Sequence, residues 1–279
     1  MKYRKIRDHQ PFPMLGMGTW CFGGRTEHDP NNDDAAQIAV LQKGLECGFD
    51  LIDTAEYYAD GHAEELVGEA IAGWDRSKLF LISKVWKTHL RRDDVLRAAE
   101  RSLKRLKTDY LDCYLYHQVE ESVPLEETIG AMNELIDQGM VRHIGVSNFS
   151  AARLQRAMAC SNAPILLNQV HCNLAVRDAM EELYTFCQEN HVILQAWRPL
   201  RDLEETDTTK MLCRKYGITF AQLALAWLMN HDGIAAITAM KNPDHLQQTL
   251  ASLDITLEPE DKILLDQYPI RRPCTMPLK

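Results

Sequence analysis

The sequence predicts a closed (β/α)8 TIM barrel, one domain over residues 1–279, and three observations predict it. Short apolar runs alternate with longer runs of helical period, eight times over. The apolar runs are nearly continuous, as parallel strands covered on both faces require. No GxGxxG turn follows the first of them, because "GMGTWCFGG" has the wrong spacing, and an open dinucleotide-binding sheet is thereby disfavoured. Repeated strand–helix units with short joints need right-handed crossovers, and eight of them close into a barrel.

The strands are expected at 14–20 (MLGMGTW), 49–55 (FDLIDTA), 79–85 (LFLISKV), 110–117 (YLDCYLYH), 141–148 (VRHIGVSN), 165–170 (ILLNQV), 192–197 (VILQAW) and 233–238 (GIAAIT). Between them lie amphipathic stretches such as "DDAAQIAVLQKGLECG" and "PLEETIGAMNELIDQG", with Gly48 and Gly139 as C-terminal stops and Ser150 and Asn242 as N-caps. "YRKI…PFPML" reads as an N-terminal hairpin closing the bottom of the barrel, "EPEDKILLDQYP" as an extra C-terminal helix and "IRRPCTMPLK" as a short coil. So short a tail is expected to contribute little to closing a pocket, which favours broad specificity.

Composition narrows the function classes. A formal charge of −9 argues against nucleic-acid or anionic-membrane partners. The most basic stretch, Arg97 to Lys107, has helical spacing and reads as a solvated face. Eight scattered cysteines without a CxxC do not make a disulfide scaffold, and a reducing cytoplasm is expected. "MKYRKIRDHQ" lacks a secretory h-region, and no run reaches the ~18 apolar residues of a membrane span.

The strand ends carry the chemistry, since barrel enzymes work at the C-terminal mouth. Asp53 ends the second strand, Lys84 the third, His117 the fourth, Ser147 and Asn148 the fifth, Asn168 and Gln169 the sixth, and Trp197 the seventh. Singly, each has an ordinary explanation as a cap, a solvated amine or a structural histidine. Together they put an acid, an amine, an imidazole and amides on one rim. A phenol gives up its proton poorly at neutral pH, and a nearby ammonium makes that easier. Lys84 can supply the charge, Asp53 can orient it, and Tyr58 can curl over the mouth while Tyr57 faces the substrate space. His117 can polarise a carbonyl oxygen. Such a set protonates an alkoxide during carbonyl reduction, and the missing reductant implies a hydride-carrying cofactor. Trp20, Phe22, Tyr57, Trp86, His89 and Gln118 follow strand ends and are expected around the substrate. No metal site is expected: His171 and Cys172 are adjacent, which is poor ligand geometry.

These residues resemble the aldo-keto reductase family over nearly the whole chain. The match runs in order through "GMGTW", "DTAEYYADGHAEELVGEA", "SKVW", "DYLDCYLYH", "GMVRHIGVSNFS", "NQVHCNL", "AWRPL" and "ITAMKNPDHLQQTL". The resemblance implies a tetrad with Tyr58 as general acid/base, Lys84 and Asp53 tuning it and His117 orienting the carbonyl. It implies an extended nicotinamide dinucleotide, its carboxamide held by Ser147, Asn148 and Gln169, with Trp197 replacing the usual stacking tyrosine. Arg198, Leu200, Lys241, His245 and Gln248 fall where relatives hold the rest of the cofactor.

Three departures from the family pattern matter. Arg198 stands for a serine; it and Arg201 either contact phosphate or pair with the nearby "DLEE". In the late motif, Ala239, His245 and Gln248-Thr249 replace a lysine, an arginine and a Glu-Asn pair. Histidine cannot copy arginine's bidentate grip on phosphate. NADP(H) is implied, with NAD(H) left open and Lys241 as a compensating cation. Gln118 replaces a frequent tryptophan, making the pocket more polar. A monomer acting on small carbonyl compounds is expected. Two rivals stand beside this reading: a Schiff-base lyase using Lys84, and a non-catalytic nucleotide-binding sensor or regulatory subunit.

Overall fold

The computed structural model describes residues 1–5, 11–240, 242–274 and 276–279. A two-stranded antiparallel hairpin, β1 (Tyr3–Lys5) and β2 (Pro11–Pro13), precedes eight parallel strands. These are β3 (Leu15–Gly18), β4 (Leu51–Asp53), β5 (Phe80–Val85), β6 (Leu111–Tyr116), β7 (Val141–Ser147), β8 (Ile165–His171), β9 (Ile193–Trp197) and β10 (Ile234–Ala239). Neighbours in sequence pair in space, and β10 closes the barrel against β3. Every apolar run expected to be a strand is one.

Ten α-helices lie among the described residues: α1 (Asp34–Cys47), α2 (His62–Ala70), α3 (Arg92–Leu106), α4 (Leu125–Asp137), α5 (Ala151–Cys160), α6 (Glu182–Glu189), α7 (Asp207–Tyr216), α8 (Phe220–Met229), α9 (Asp244–Ala251) and α10 (Pro259–Asp266). Their ends follow local chemistry. Asp33 caps α1 by accepting from the Ala36 amide, Gly48 ends it at φ +103°, and Ser150 caps α5 through the Arg153 amide. Asn242 was expected to cap α9, but the cap is Pro243; Asn242 lies one residue ahead of it and accepts from the Asp244 amide at 3.0 Å. Among the described residues no helix is long and apolar enough to cross a membrane.

Two apolar layers hold the barrel. Inside it, Leu51, Ile82, Cys113, Leu115, Leu167 and Ile193 fill the lumen, and Phe12 from the hairpin plugs the bottom with its ring 5.1 Å from that of Phe80. Gly16 makes room for this filling: a Cβ there would lie 2.1 Å from Leu51 Cδ2. Outside, the helices cover the strands, and α8 is buried almost all round, which explains its unbroken "LALAWLM".

The basic stretch is not wholly solvated, contrary to expectation. Arg105 turns inward from α3 to pair with Glu64, which is fully buried, at 2.6 Å. Parallel pairing makes all eight strand C-termini open the same way, so the polar residues that end them share one mouth.

Candidate active site

Lys84 is the centre of that mouth. Its ammonium carries three protons and has no exposure, so each proton needs an acceptor. It finds three: Asp53 Oδ1 at 2.6 Å, the Thr54 carbonyl at 2.7 Å and the Tyr58 hydroxyl at 3.2 Å. Asp53 is equally constrained, because its Oδ2 accepts from Gln169 Nε2 at 2.7 Å, and the second proton of that nitrogen goes to Gln195 Oε1 at 2.8 Å. Burial is the largest single influence and disfavours the charged lysine, but Asp53 and Tyr58 together outweigh it and hold the Lys84 pKa above its ordinary value.

A 3-10 turn over Tyr58–Gly61 delivers the phenol. Ala59 and Asp60 sit at φ +51° and +55°, left-handed conformations that cost non-glycine residues about 1–3 kcal/mol each. The Ala59 amide is tied to the Arg25 carbonyl at 2.8 Å, so the loop after β3 holds the turn in place. Lys84 was expected to lower the phenol's pKa outright. Burial is the larger influence, and together with the Asp53 charge it leaves Tyr58 above its ordinary value despite the lysine. The phenol is therefore a firmly protonated donor.

His117 faces Tyr58 edge-on with ring centroids 5.6 Å apart. Burial, reinforced by the Lys84 charge, pushes its pKa well below the usual range, so it is neutral at pH 7. Its buried Nδ1 has no hydrogen-bond partner. An unpaired buried acceptor is cheaper than an unpaired N–H, which favours the proton on Nε2. Tyr57 stacks on Trp86 at 3.6 Å and lies 6.5 Å from Trp20, and these rings wall a cavity of about 290 Å³ that also contains Gln118. A larger groove of about 640 Å³ under the hairpin, at the far end of the barrel, contains none of the four.

The opposite wall is amide and indole. Ser147 Oγ donates to the Gln169 carbonyl and accepts from Asn148 Nδ2 at 3.0 Å, while Trp197 Nε1 donates to Asn148 Oδ1 at 3.3 Å. Asn148 adopts φ +60°, which turns its side chain back along the rim. The His171 ring stacks under the Trp197 indole at 4.5 Å; burial and the Arg198 charge lower its pKa to about 4, so it is a neutral support. The two arginines after Trp197 differ in place. Arg198 lines the cavity 5.0 Å from the Trp197 ring, whereas Arg201 pairs with Asp202 at 3.4 Å.

Several expected residues are elsewhere. Phe22 does not line the pocket: Cys21 takes φ +74°, the Phe22 amide bonds back to Thr19, and the ring enters the core at 1% exposure. His89 turns to Glu56, with Nδ1 3.0 Å from Oε1. Leu200 is absent from the cavity wall and packs against the core. His245 and Gln248 are exposed on α9, one turn apart. Lys241 lies outside the described residues. Three contributors were missed. Thr54 acts through its backbone, which no side-chain pattern reveals. Gln195, the one polar residue in "VILQAW", was a legible interruption. Met276 lines the cavity from the terminal coil, which was expected to add little. Lys279 anchors that coil, its amide donating to the Asn148 carbonyl at 3.1 Å and its carbonyl accepting from the Ser150 amide.

A closed parallel barrel with an amine, carboxylate, phenol and imidazole gathered at its C-terminal mouth defines an enzyme class equipped to polarise a carbonyl and protonate its oxygen. The chain belongs to the aldo/keto reductase family, whose model matches residues 14–268. It is 37% identical over 270 residues to the methylglyoxal reductase YeaE of Escherichia coli, covering 92% of this chain and 91% of that one. A relative in Schizosaccharomyces pombe, an NAD/NADP-dependent indole-3-acetaldehyde reductase, is 31% identical over 90% of this chain and 89% of its own. Among solved structures, the thermostable aldo-keto reductase Tm1743, in complex with the inhibitor epalrestat, superposes with a TM-score of 0.93 at 42% identity, covering 96% of this chain and 100% of that one. An aldo-keto reductase from Klebsiella pneumoniae in complex with NADPH gives 0.86 at 38%, covering 99% and 98%. The protein is an NAD(P)H-dependent oxidoreductase that reduces aldehydes or ketones to alcohols.

Proposed function

We propose that this chain reduces small aldehydes, 2-oxoaldehydes such as methylglyoxal among them, with Tyr58 as the proton donor. The observation that carries the proposal is the contact of the Lys84 amine with the Asp53 carboxylate and the Tyr58 hydroxyl, beside a neutral His117. The substrate carbonyl oxygen sits between Tyr58 and His117. His117 Nε2–H polarises it, and Tyr58 O–H transfers its proton to the oxygen as charge develops there. Lys84 stabilises the phenolate left behind, and Asp53 keeps the lysine charged and aimed. A Schiff base on Lys84 would need the opposite, an amine held neutral, so the charged and fully engaged lysine weighs against that rival.

The rim fits a nicotinamide dinucleotide. Both Nε2 protons of Gln169 are engaged, so it offers its Oε1 to a carboxamide NH2, and Asn148 offers its second Nδ2 proton to the carboxamide oxygen. Trp197, backed by His171, presents an aromatic face. When bound, the reduced nicotinamide supplies the hydride. Arg198 serves the pyrophosphate, with Leu200 two residues on in sequence, and Lys241, His245 and Gln248 lie in the segment that serves the adenosine side. Without an arginine in that last pair, NADPH is used with weaker discrimination against NADH than a bidentate phosphate grip gives. Trp20, Tyr57, Trp86 and Gln118 hold the substrate, the glutamine suiting a second carbonyl oxygen. The chain acts as one domain over residues 1–279, as a cytoplasmic monomer. Steady-state assays with methylglyoxal and an aldehyde panel, run with each nucleotide, test the reading. Consumption of neither nucleotide with any aldehyde would sink it.

A further inference from the structure

We propose that His28, Asp34 and His62 form a transition-metal site, for zinc(II) or a similar cation, that ties the loop after β3 to the turn bearing Tyr58. The three come from separate places: His28 from the loop, Asp34 from the first turn of α1 and His62 from the first residue of α2. The fold nevertheless brings one ligand atom of each within 4.8 Å of the others. Two imidazoles and a carboxylate are the donor set of a borderline divalent metal, with a fourth, open position for water.

The arrangement around His62 is the second observation. Both of its ring nitrogens face carboxylates, Nε2 at 2.8 Å from Asp34 Oδ2 and Nδ1 at 2.7 Å from Glu65 Oε2. A neutral imidazole has one N–H and satisfies one of them. With Nδ1–H held on Glu65, Nε2 is aimed at Asp34 Oδ2 from 2.8 Å, and a bound cation takes the place of the proton that otherwise bridges these two atoms. A carboxylate behind a ligating histidine is how metal sites fix the tautomer and orientation of the ring. Asp34 is held as well, its Oδ1 accepting from Asn32 Nδ2 at 2.6 Å. The His28 ring lies 4.0 Å from that of His62, tilted by 35°.

Tetrahedral coordination at about 2.1 Å separates ligand atoms by roughly 3.4 Å. The carboxylate contact therefore opens by about half an ångström while His28 swings in, a movement within reach of its exposed side chain. The backbone is already shaped for this. A Cβ on Gly23, at φ +72°, would lie 2.7 Å from His62 Cδ2, so the ring packs directly on the loop. Gly24 bridges to His28, and the Arg25 carbonyl holds the amide of Ala59, next to Tyr58. A metal here clamps two segments that meet beside the mouth without touching the reacting atoms.

Chelator-treated full-length protein should bind one equivalent of Zn2+ by calorimetry. Its Co2+ complex should show weak visible bands and no thiolate-to-cobalt charge transfer. Zn2+ should raise Tm in the parent. The exposed His28 lies outside the catalytic machinery, so His28→Ala should keep the parent's circular dichroism and turnover while losing the Zn2+-induced rise. Glu65→Gln, which leaves all three ligands in place and alters only the carboxylate behind His62, should weaken binding about tenfold, and His28→Ala should weaken it more. Absence of binding, binding unchanged in both His28→Ala and Asp34→Asn, or cobalt–thiolate bands that place the ion on cysteine would each overturn the assignment.

Discussion

Replacing Tyr58 by phenylalanine removes one oxygen atom from the mouth and little else. Lys84 keeps Asp53 at 2.6 Å and the Thr54 carbonyl at 2.7 Å, and loses only its longest contact, the phenol at 3.2 Å. Losing a hydrogen bond to a charged group costs about 1.5–3 kcal/mol, offset by no longer burying a hydroxyl. The variant should therefore unfold within a few degrees of the parent. None of Ser147, Asn148, Gln169 or Trp197 bonds to Tyr58, so the Kd for NADPH, read by quenching of tryptophan fluorescence, should stay within about threefold. Turnover should not. A positioned general acid contributes about 10²- to 10⁴-fold, which is about 3–5 kcal/mol of barrier. The assay is NADPH oxidation with methylglyoxal at saturating nucleotide. A variant that keeps more than about a tenth of parental kcat, with an unchanged pH profile, would refute the assignment of the proton to Tyr58.

Further outcomes follow from the same geometry. Gln195→Leu removes the acceptor that helps fix the Gln169 amide, and nucleotide binding should weaken by roughly 2- to 10-fold, the value of one such hydrogen bond, in the same quenching titration. Gly61→Ala puts a Cβ 2.6 Å from Arg105 Nε at φ +89°, next to the buried Arg105–Glu64 pair. Strain of about 1–3 kcal/mol should appear as a lower midpoint in urea, with reduced kcat because the turn carries Tyr58. For pH, a phenol whose pKa burial raises above its ordinary value keeps its proton through neutrality. A histidine whose pKa burial lowers stays uncharged over the same span. Aldehyde reduction should therefore be flat from about pH 6.5 to 10 and fall only above that, while alcohol oxidation rises with pH. In Lys84→Met the alkaline fall should move higher still, since the lysine was the group lowering the phenol's pKa. A break near neutrality in kcat/KM for the parent would contradict both protonation states.

Much of this protein is dictated locally. Continuous apolar runs ending in Asp53, Lys84, His117, Ser147 and Gln169 determine parallel strands, and parallel strands determine that those side chains share one mouth. Burial on both faces makes the end of a strand the cheapest place for a polar residue. The sequence also shows Gln195 as a polar interruption inside such a run, although only pairing beside Gln169 gives it a role. What the tertiary structure alone decided depends on contacts between segments far apart in the chain. Phe22 belongs to the core because the turn at Cys21 reverses the chain, Met276 reaches the cavity because Lys279 is tied to Asn148 and Ser150, and Arg105 leaves its solvated face for Glu64. The protonation of Tyr58 is of this kind too. A lysine's charge is legible in sequence, but how far desolvation outweighs it is set by how completely the closed barrel excludes water.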